Sequence, residues 1–362
     1  MASGEDRIHD LLIVGAGPAG VSCALQAARD GLDLVLVGDE PVGGLLPAAR
    51  RIENLAGLPG VAGRELAGRL ARQLADRGVV VWRGRVVALR RADGLFRGAL
   101  ADGTRLAART VCLATGTRPR PWPPGEGRKV PRDARDWPDD LRGRRAVVVG
   151  GGEAAFDTAL TARDRGACVL VLVRGPAPRA GGGLLEEARR RGVEWRGGVE
   201  VTALRGAPGA WEVETADGSR IETDEFAACV GREPRRELLD DLGAPGLPAS
   251  VESAEVPGLF GAGDLIRGRE RYVATALGDG QRAAIAAREF LGGCASANGA
   301  PNGRKTARAF VAGRVWRWRS CGCPGFRGSR KSACCASAAM TATVWRPSTG
   351  WHRPSRVARS GS

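Results

Sequence analysis

The feature that most restricts the fold is a glycine pattern that occurs twice, each time directly after a short apolar run. Asp10 to Val14 (DLLIV) leads into Gly15-Ala16-Gly17-Pro18-Ala19-Gly20, a helical pattern from Val21 to Asp30 and a second apolar run from Leu32 to Val37. Arg145 to Val149 leads into Gly150-Gly151-Gly152-Glu153-Ala154-Ala155, a helical stretch to Arg165 and a run from Ala167 to Val173. Strand, G-x-G-x-x-G/A, helix and strand within about thirty residues is the arrangement that binds a dinucleotide. One glycine permits the tight turn, one lets the backbone approach a pyrophosphate, and a third small residue brings helix against strand. The helix N-terminus then offers amide donors and partial positive charge to the phosphates. Two such units predict an α/β chain of two Rossmann-like, doubly wound, three-layer domains and two nucleotide cofactors.

The end of each second strand is where an adenosine ribose is read. In the later unit that strand ends in Arg174, with Arg179 following. Guanidinium pairs well with a 2′-phosphate, which favours NADPH over NADH. Two solvated loop arginines are the alternative. In the first unit Asp39 and Glu40 lie just past the strand, where either carboxylate could reach a ribose hydroxyl.

A length of 362 residues suits two domains, each with its own core. The net charge of +15 is uneven: residues 296–362 hold thirteen of the 55 Lys and Arg and none of the 40 Asp and Glu. The first 295 residues then carry 42 basic against 40 acidic side chains, so the body offers no general electrostatic argument for nucleic acid or anionic membrane. The N-terminus MASGEDRIHD lacks the features of a secretory signal, which makes a cytoplasmic location the expectation. Leu11 to Ala28 is apolar but broken by four glycine and proline residues, so no membrane span is expected. Nine scattered cysteines do not make a disulfide framework, and those in the body read as small buried residues.

Two further strand ends, Val111 to Gly116 (VCLATG) and Leu259 to Asp264 (LFGAGD), close on small residues that allow near approach of a ligand. They add Thr115, Gly116, Gly263 and Asp264 to the candidates. The order GAGPAG, ATG, GGGEAA, GAGD resembles the two-dinucleotide flavoprotein reductases, in which ATG and GD line the FAD domain. Gly43-Gly44-Leu45, Ile52 to Gly57 (IENLAG) and Arg271 to Gly280 resemble one branch, the low-molecular-weight thioredoxin reductases. The resemblance covers about residues 8–291. It implies FAD held by Gly15, Gly17, Gly20, Asn54 and Asp264, with Gly44, Leu45, Val86, Tyr272 and Val273 among the further cofactor-binding positions and the amides near Ala274 over the flavin pyrimidine edge. It also implies NADPH on Gly152, Ala155, Arg174 and Arg179, a hinge between domains, and a lean to a homodimer.

The family's redox-active CxxC is missing. Counting back from Gly150 places Asp133 and Asp136 at the two cysteine positions, with Trp137 where the family has its proton-donating acid. A carboxylate cannot attack a disulfide or store two electrons as a dithiol, so thiol exchange by the usual route is excluded. The family's RQA also reads Arg271-Tyr272-Val273. A metal or acid–base role for Asp133 and Asp136 lacks further ligands nearby, and a solvated loop is the expectation. With only His9 and His352, histidine chemistry has little support, and His9 reads as a surface residue.

These observations predict an FAD domain in two pieces, 1–117 and 243–295, with an NADPH domain inserted at 118–242 and Pro-rich junctions at Arg118 to Gly127 and Gly243 to Pro248. The expected function is an NADPH-dependent FAD oxidoreductase without an internal dithiol. Its acceptor would be a ferredoxin-like protein, a small quinone, oxygen or an external disulfide. Ferredoxin–NADP reductases of the thioredoxin-reductase-like type share the missing CxxC. The non-enzyme alternative is a flavin-bound redox sensor or binding module. The tail after Leu291 is rich in Arg, Trp and Cys. It reads as a frame-shifted or non-native translation, a disordered basic segment able to touch nucleic acid, or a site using Cys321, Cys323, Cys334 and Cys335.

Overall fold

The computed structural model describes residues 7–125, 127–243 and 256–297. All of them fall within one compact unit, Met1–Asn302. The expectations for the basic tail, and for the junction beyond Gly243, lie outside the described residues.

Strand β1 (Ile8–Val14), helix α1 (Pro18–Arg29) and β2 (Leu34–Gly38) form the first strand–turn–helix–strand unit. The helix starts three residues earlier than the apolar pattern suggests, because Pro18 suits the first helical turn, where no N–H partner is required. Helix α2 (Gly63–Asp76), β3 (Val81–Arg83), the antiparallel pair β4 (Val86–Ala92) and β5 (Leu95–Leu100), and β6 (Arg105–Leu113) complete this half. The sheet order is β3-β2-β1-β6-β5-β4. Strands β1, β2, β3 and β6 run parallel. Leu11, Leu12 and Ile13 are fully buried, as expected of a strand covered on both faces.

The chain crosses to a second sheet through β7 (Thr117–Pro119). There β8 (Arg145–Val149), α3 (Glu153–Asp164), β9 (Cys168–Val173), α4 (Gly182–Arg190) and β10 (Glu194–Gly197) lead to a three-stranded antiparallel meander: β11 (Val201–Ala207), β12 (Ala210–Thr215) and β13 (Arg220–Thr223). Strand β14 (Glu225–Ala228) adds to β8, giving the parallel order β10-β9-β8-β14. One core joins this sheet to Phe156 and Leu160 of α3 and Ala188 of α4. Another joins it to Trp211 and Val213 of the meander, with Trp122 stacked on Phe226 at 5.4 Å. The layers are therefore helices, parallel sheet and antiparallel sheet.

Strand β15 (Arg232–Pro234) returns antiparallel to β7, with Arg232, Glu233 and Pro234 opposite Pro119, Arg118 and Thr117. Helix α5 (Glu237–Asp240) sinks Leu238 and Leu239 into the first core. Strand β16 (Leu259–Gly261) pairs with the C-terminal half of β6, on the edge whose other half holds β5. Helix α6 (Val273–Ala297) then packs on α1: a Cβ on Gly280 would lie 1.9 Å from the Ala19 carbonyl oxygen, so only glycine allows this approach. The helix continues past Leu291, where the composition changes.

His9 is not a surface residue. Strand β1 begins two residues before the apolar run because β6 pairs with Ile8 and His9 as well. The imidazole is buried, with Nδ1 3.2 Å from Asp33 Oδ2.

Candidate functional site

The GAGPAG loop is a closed turn with one open face. Gly15 has φ +111°, and a Cβ there would meet the Ala114 carbonyl oxygen at 2.3 Å. A Cβ on Gly20 would stand 1.8 Å from the Gly15 carbonyl oxygen. Gly17 is different: a Cβ on it would meet no atom within 4 Å. It is the N-cap of α1, no side chain caps it, and Pro18, Ala19 and Gly20 form the first turn behind it. An uncapped helix start facing open space between two sterically locked glycines fits a pyrophosphate.

The other first-half motifs converge on this loop. Gly43 donates its N–H to the Ala16 carbonyl at 2.9 Å, and a Cβ on Gly44 would come 3.3 Å from Gly17 Cα, which sets Gly44 and Leu45 beside the open face. Thr115 and Gly116 follow Ala114, the residue against which Gly15 packs. Thr115 Oγ1 donates to the Arg235 carbonyl at 3.1 Å. Gly263 has φ +70°, and a Cβ there would meet Ala19 Cβ at 2.8 Å, which brings Asp264 to the first turn of α1. Burial pushes the Asp264 carboxyl up, and Arg271 and Arg232 beside it pull it down. Asp39 and Glu40 are exposed past β2, Asp39 lying 3.8 Å from an Arg235 nitrogen. Val86 is buried at the start of β4, two residues after Gly84, whose N–H is bonded to Gly38 at the end of β2. Asn54 is exposed on the loop closed by the Ile52–Val61 bridge. Tyr272 and Ala274 are exposed and Val273 half-buried where α6 begins.

Sequence reasoning missed Asp279. It is 2% exposed, accepts the Gly263 N–H at 3.3 Å and accepts from Arg267 Nε, at 2.9 Å, and Nη2. Arg271 Nε in turn donates to the Arg267 carbonyl, and Arg271 Nη1 to the Arg232 carbonyl, each at 3.1 Å. The turn that presents Asp264 is thus buttressed from α6. An acidic residue in the second turn of a helix, among small and apolar neighbours, was the available signal.

The second loop repeats the first. Gly150 has φ +144°, and a Cβ there would meet the Cys229 carbonyl oxygen at 2.4 Å. Ala155 replaces the third glycine and is fully buried. Gly152, the uncapped N-cap of α3, has open space where a Cβ would stand, with Glu153 and Ala154 exposed beyond it. Arg174 and Arg179 are both exposed, and the Arg179 N–H donates to the Gly151 carbonyl at 2.6 Å. That bond folds the loop after β9 back over the glycine turn, which brings Arg179 to the same end of the sheet as Gly152.

In the segment before β8, whose Ala134 and Trp137 join the core of the second sheet, Asp133 Oδ1 accepts both the N–H and the Nε of Arg135, at 2.9 and 3.0 Å. Asp136 is exposed, and Trp137 is buried. Arg165 Nη1 holds the segment by donating to the carbonyls of Ala134 and Trp137, at 2.8 and 3.0 Å. Asp133 and Asp136 are therefore not one paired-carboxylate centre: one is engaged by arginine and the other is solvated. The Cys229 thiol donates to the Arg132 carbonyl at 3.2 Å, and burial pushes it up to about 12.

The family model for the pyridine nucleotide-disulphide oxidoreductases matches residues 9–280. Among relatives, the thioredoxin reductase of Mycolicibacterium smegmatis is 30% identical, over 80% of this chain and 98% of that one. The ferredoxin–NADP reductase of Salinispora tropica is also 30% identical, over 75% and 90%. Among solved structures, Lactococcus lactis thioredoxin reductase in its FR conformation superposes with a TM-score of 0.72 at 25% identity, over 79% of this chain and 99% of that one. Two uncapped glycine-loop helices fit two dinucleotides, FAD and NADPH being the cofactors of such reductases. The chain therefore belongs to the pyridine nucleotide-disulphide oxidoreductase family, as a flavin-dependent NAD(P)H oxidoreductase of the thioredoxin-reductase-like kind.

Proposed function

We propose that this enzyme takes hydride from NADPH onto its FAD and passes both electrons to an external acceptor, with no redox dithiol of its own. The observation that carries the reading is the segment 133–137. It holds an arginine-bound carboxylate, a solvated carboxylate and a buried tryptophan where a dithiol reductase needs two sulfurs and an acid. The sequence has no Cys-x-x-Cys at any position, and a thiol held up at about 12, as at Cys229, is almost wholly protonated at neutral pH.

When bound, the flavin accepts two electrons and a proton from the dihydronicotinamide and gives them up in pairs or singly. The chain's own work is positioning. Gly17 and the first turn of α1 would hold the FAD pyrophosphate, with Gly44, Leu45, Thr115, Gly116 and Asp264 around them and Asp39, Glu40 and Val86 at the adenosine end. Gly152 and the first turn of α3 would hold the second pyrophosphate, and Arg174 with Arg179 its 2′-phosphate. The FAD unit would be 1–117 with 243–295 and the NADPH unit 118–242 up to α5, whose Leu238 and Leu239 already sit in the first core, the two being joined by the β7–β15 ribbon.

The acceptor we favour is a one-electron iron–sulfur protein or a small quinone. The ferredoxin–NADP reductase relative supports the first, and the lack of a cysteine pair removes the need for a disulfide partner. Anaerobic reduction by NADPH followed by addition of ferredoxin, quinone or thioredoxin tests it. Reoxidation by thioredoxin alone would overturn it.

A further inference from the structure

Away from the β7–β15 ribbon, Arg50 joins the two sheet units. Arg50 follows the loop of Gly43, Gly44 and Leu45 that lies against Gly17, and it reaches into α3 and α4 of the second unit. Its backbone N–H donates to Asp157 Oδ2 at 2.8 Å. Its Nη1 donates to Asp164 Oδ2 at 3.3 Å, and its Nη2 to both Glu187 oxygens at 2.9 Å. The guanidinium is 14% exposed, and its Nε lies 3.8 Å from Asp157 Oδ1. Arg191 closes the cluster from the second unit, pairing with Asp164 and, at 3.4 Å, with Glu187. Without Arg50 the second unit would carry three adjacent carboxylates against one guanidinium, an arrangement that repels itself.

The location gives the cluster a consequence. Asp157 stands two residues after Ala155, in the helix whose N-terminus is the second nucleotide cradle. Arg50 stands five residues after Leu45, on the rim of the first. A bond between them ties the helix of the second cradle to the loop beside the first, and hydride transfer depends on how the two units are held. We propose that Arg50 is a positioning residue: an ionic latch that holds the NADPH unit in the orientation for flavin reduction and whose release frees that unit to turn on the ribbon. This rests on the two-cofactor reading above. The latch couples a flavin-side loop to a nucleotide helix through partly shielded charges, so it is strong enough to bias orientation and open enough to break.

Two measurements on the full-length holoenzyme test it. In anaerobic stopped flow, Arg50→Gln should lower the limiting rate of flavin reduction about tenfold, with the half-saturating NADPH concentration changed less than twofold. The exchanged pair Arg50→Glu with Glu187→Arg should recover most of that rate. An Arg50→Gln enzyme reduced at the wild-type rate, or one whose defect lies wholly in NADPH affinity, would overturn the proposal. The second measurement is amide hydrogen exchange over residues 45–51 in the double variant Asp164→Asn with Glu187→Gln, which leaves Asp157 in place. Exchange at Arg50 should rise about tenfold or more if the guanidinium contacts keep the units closed, and unchanged protection would overturn the latch. A wild-type flavin that NADPH does not reduce would defeat the functional reading, while the exchange result would still decide the latch.

Discussion

Gly20 and Gly15 are locked together: a Cβ on Gly20 would overlap the Gly15 carbonyl oxygen at 1.8 Å, whereas a Cβ on Gly17 between them would meet no atom within 4 Å. The two flanking glycines serve the fold, and in the proposed function the middle one serves a ligand. Gly20→Ala should therefore destabilise the protein with or without FAD, by about 1–3 kcal/mol or more, the cost of overpacking against backbone. Gly17→Ala should leave the melting of the apoprotein within about 1 kcal/mol of wild type and weaken FAD binding tenfold or more. Thermal unfolding of the apoproteins with FAD titration checks both. A Gly17→Ala protein with wild-type FAD affinity would place the cofactor elsewhere.

Asp157 sets a pH dependence whose sign is opposite to that of an ordinary ion-paired carboxylate. Burial pushes it from 3.8 up to about 6, despite the Arg50 N–H and charge that oppose the rise. The folded state thus binds the proton more tightly than the unfolded state, and stability from this group falls as pH rises from about 4 to 6, then stays level. Asp157→Asn should gain on wild type across that window, by up to about 2–3 kcal/mol at the usual 1.4 kcal/mol per unit. Denaturant titrations of both proteins between pH 4 and 8 measure it. A gap that narrows with rising pH would contradict the assignment.

Nucleotide preference tests Arg174 and Arg179. If both face a 2′-phosphate, Arg174→Ala with Arg179→Ala should lower kcat/KM for NADPH about tenfold to a hundredfold, the loss of charge-assisted bonds of roughly 1.5–3 kcal/mol. The value for NADH should change less than threefold. Equal losses for the two nucleotides would assign the arginines to loop structure.

Cys229 should be chemically silent. The residue is half-buried, its thiol is held up at about 12 by desolvation, and it donates to a carbonyl. Cys229→Ser should retain at least half the NADPH-dependent activity with the best acceptor, and alkylation of the native protein at pH 7.5 should not label this position ahead of the exposed Cys168. Rapid labelling of Cys229 with loss of activity would make it a working thiol.

Much of this site was readable in the sequence because it is local. A strand, a glycine loop and a helix lie within thirty residues, and the need for glycine at Gly15 and Gly20 follows from steric limits on backbone approach. Helix α1 starting at Pro18 is a small departure of the same local kind, and Ala155 stands in the third position as the sequence pattern has it. The contacts that sequence reasoning missed join residues far apart in the chain: Arg50 with Glu187, Asp279 with Gly263, His9 with Asp33. Asp279 stands in a helical stretch where an acid is ordinarily solvated, and nothing nearby marks it as the partner of Arg267. The antiparallel meander covering the second sheet is likewise a tertiary outcome, since short alternating strands carry no mark of which sheet they will cover.

Anaerobic stopped-flow reduction of the flavin by NADPH, with the reduced enzyme then mixed with ferredoxin, a small quinone or thioredoxin, tests the central claim most directly. Fast bleaching by NADPH, slower bleaching by NADH, uptake of one hydride equivalent per flavin, and reoxidation by ferredoxin or quinone are expected. Uptake of a second pair of electrons per flavin, with reoxidation by thioredoxin, would reveal a dithiol in the catalytic cycle and contradict the account.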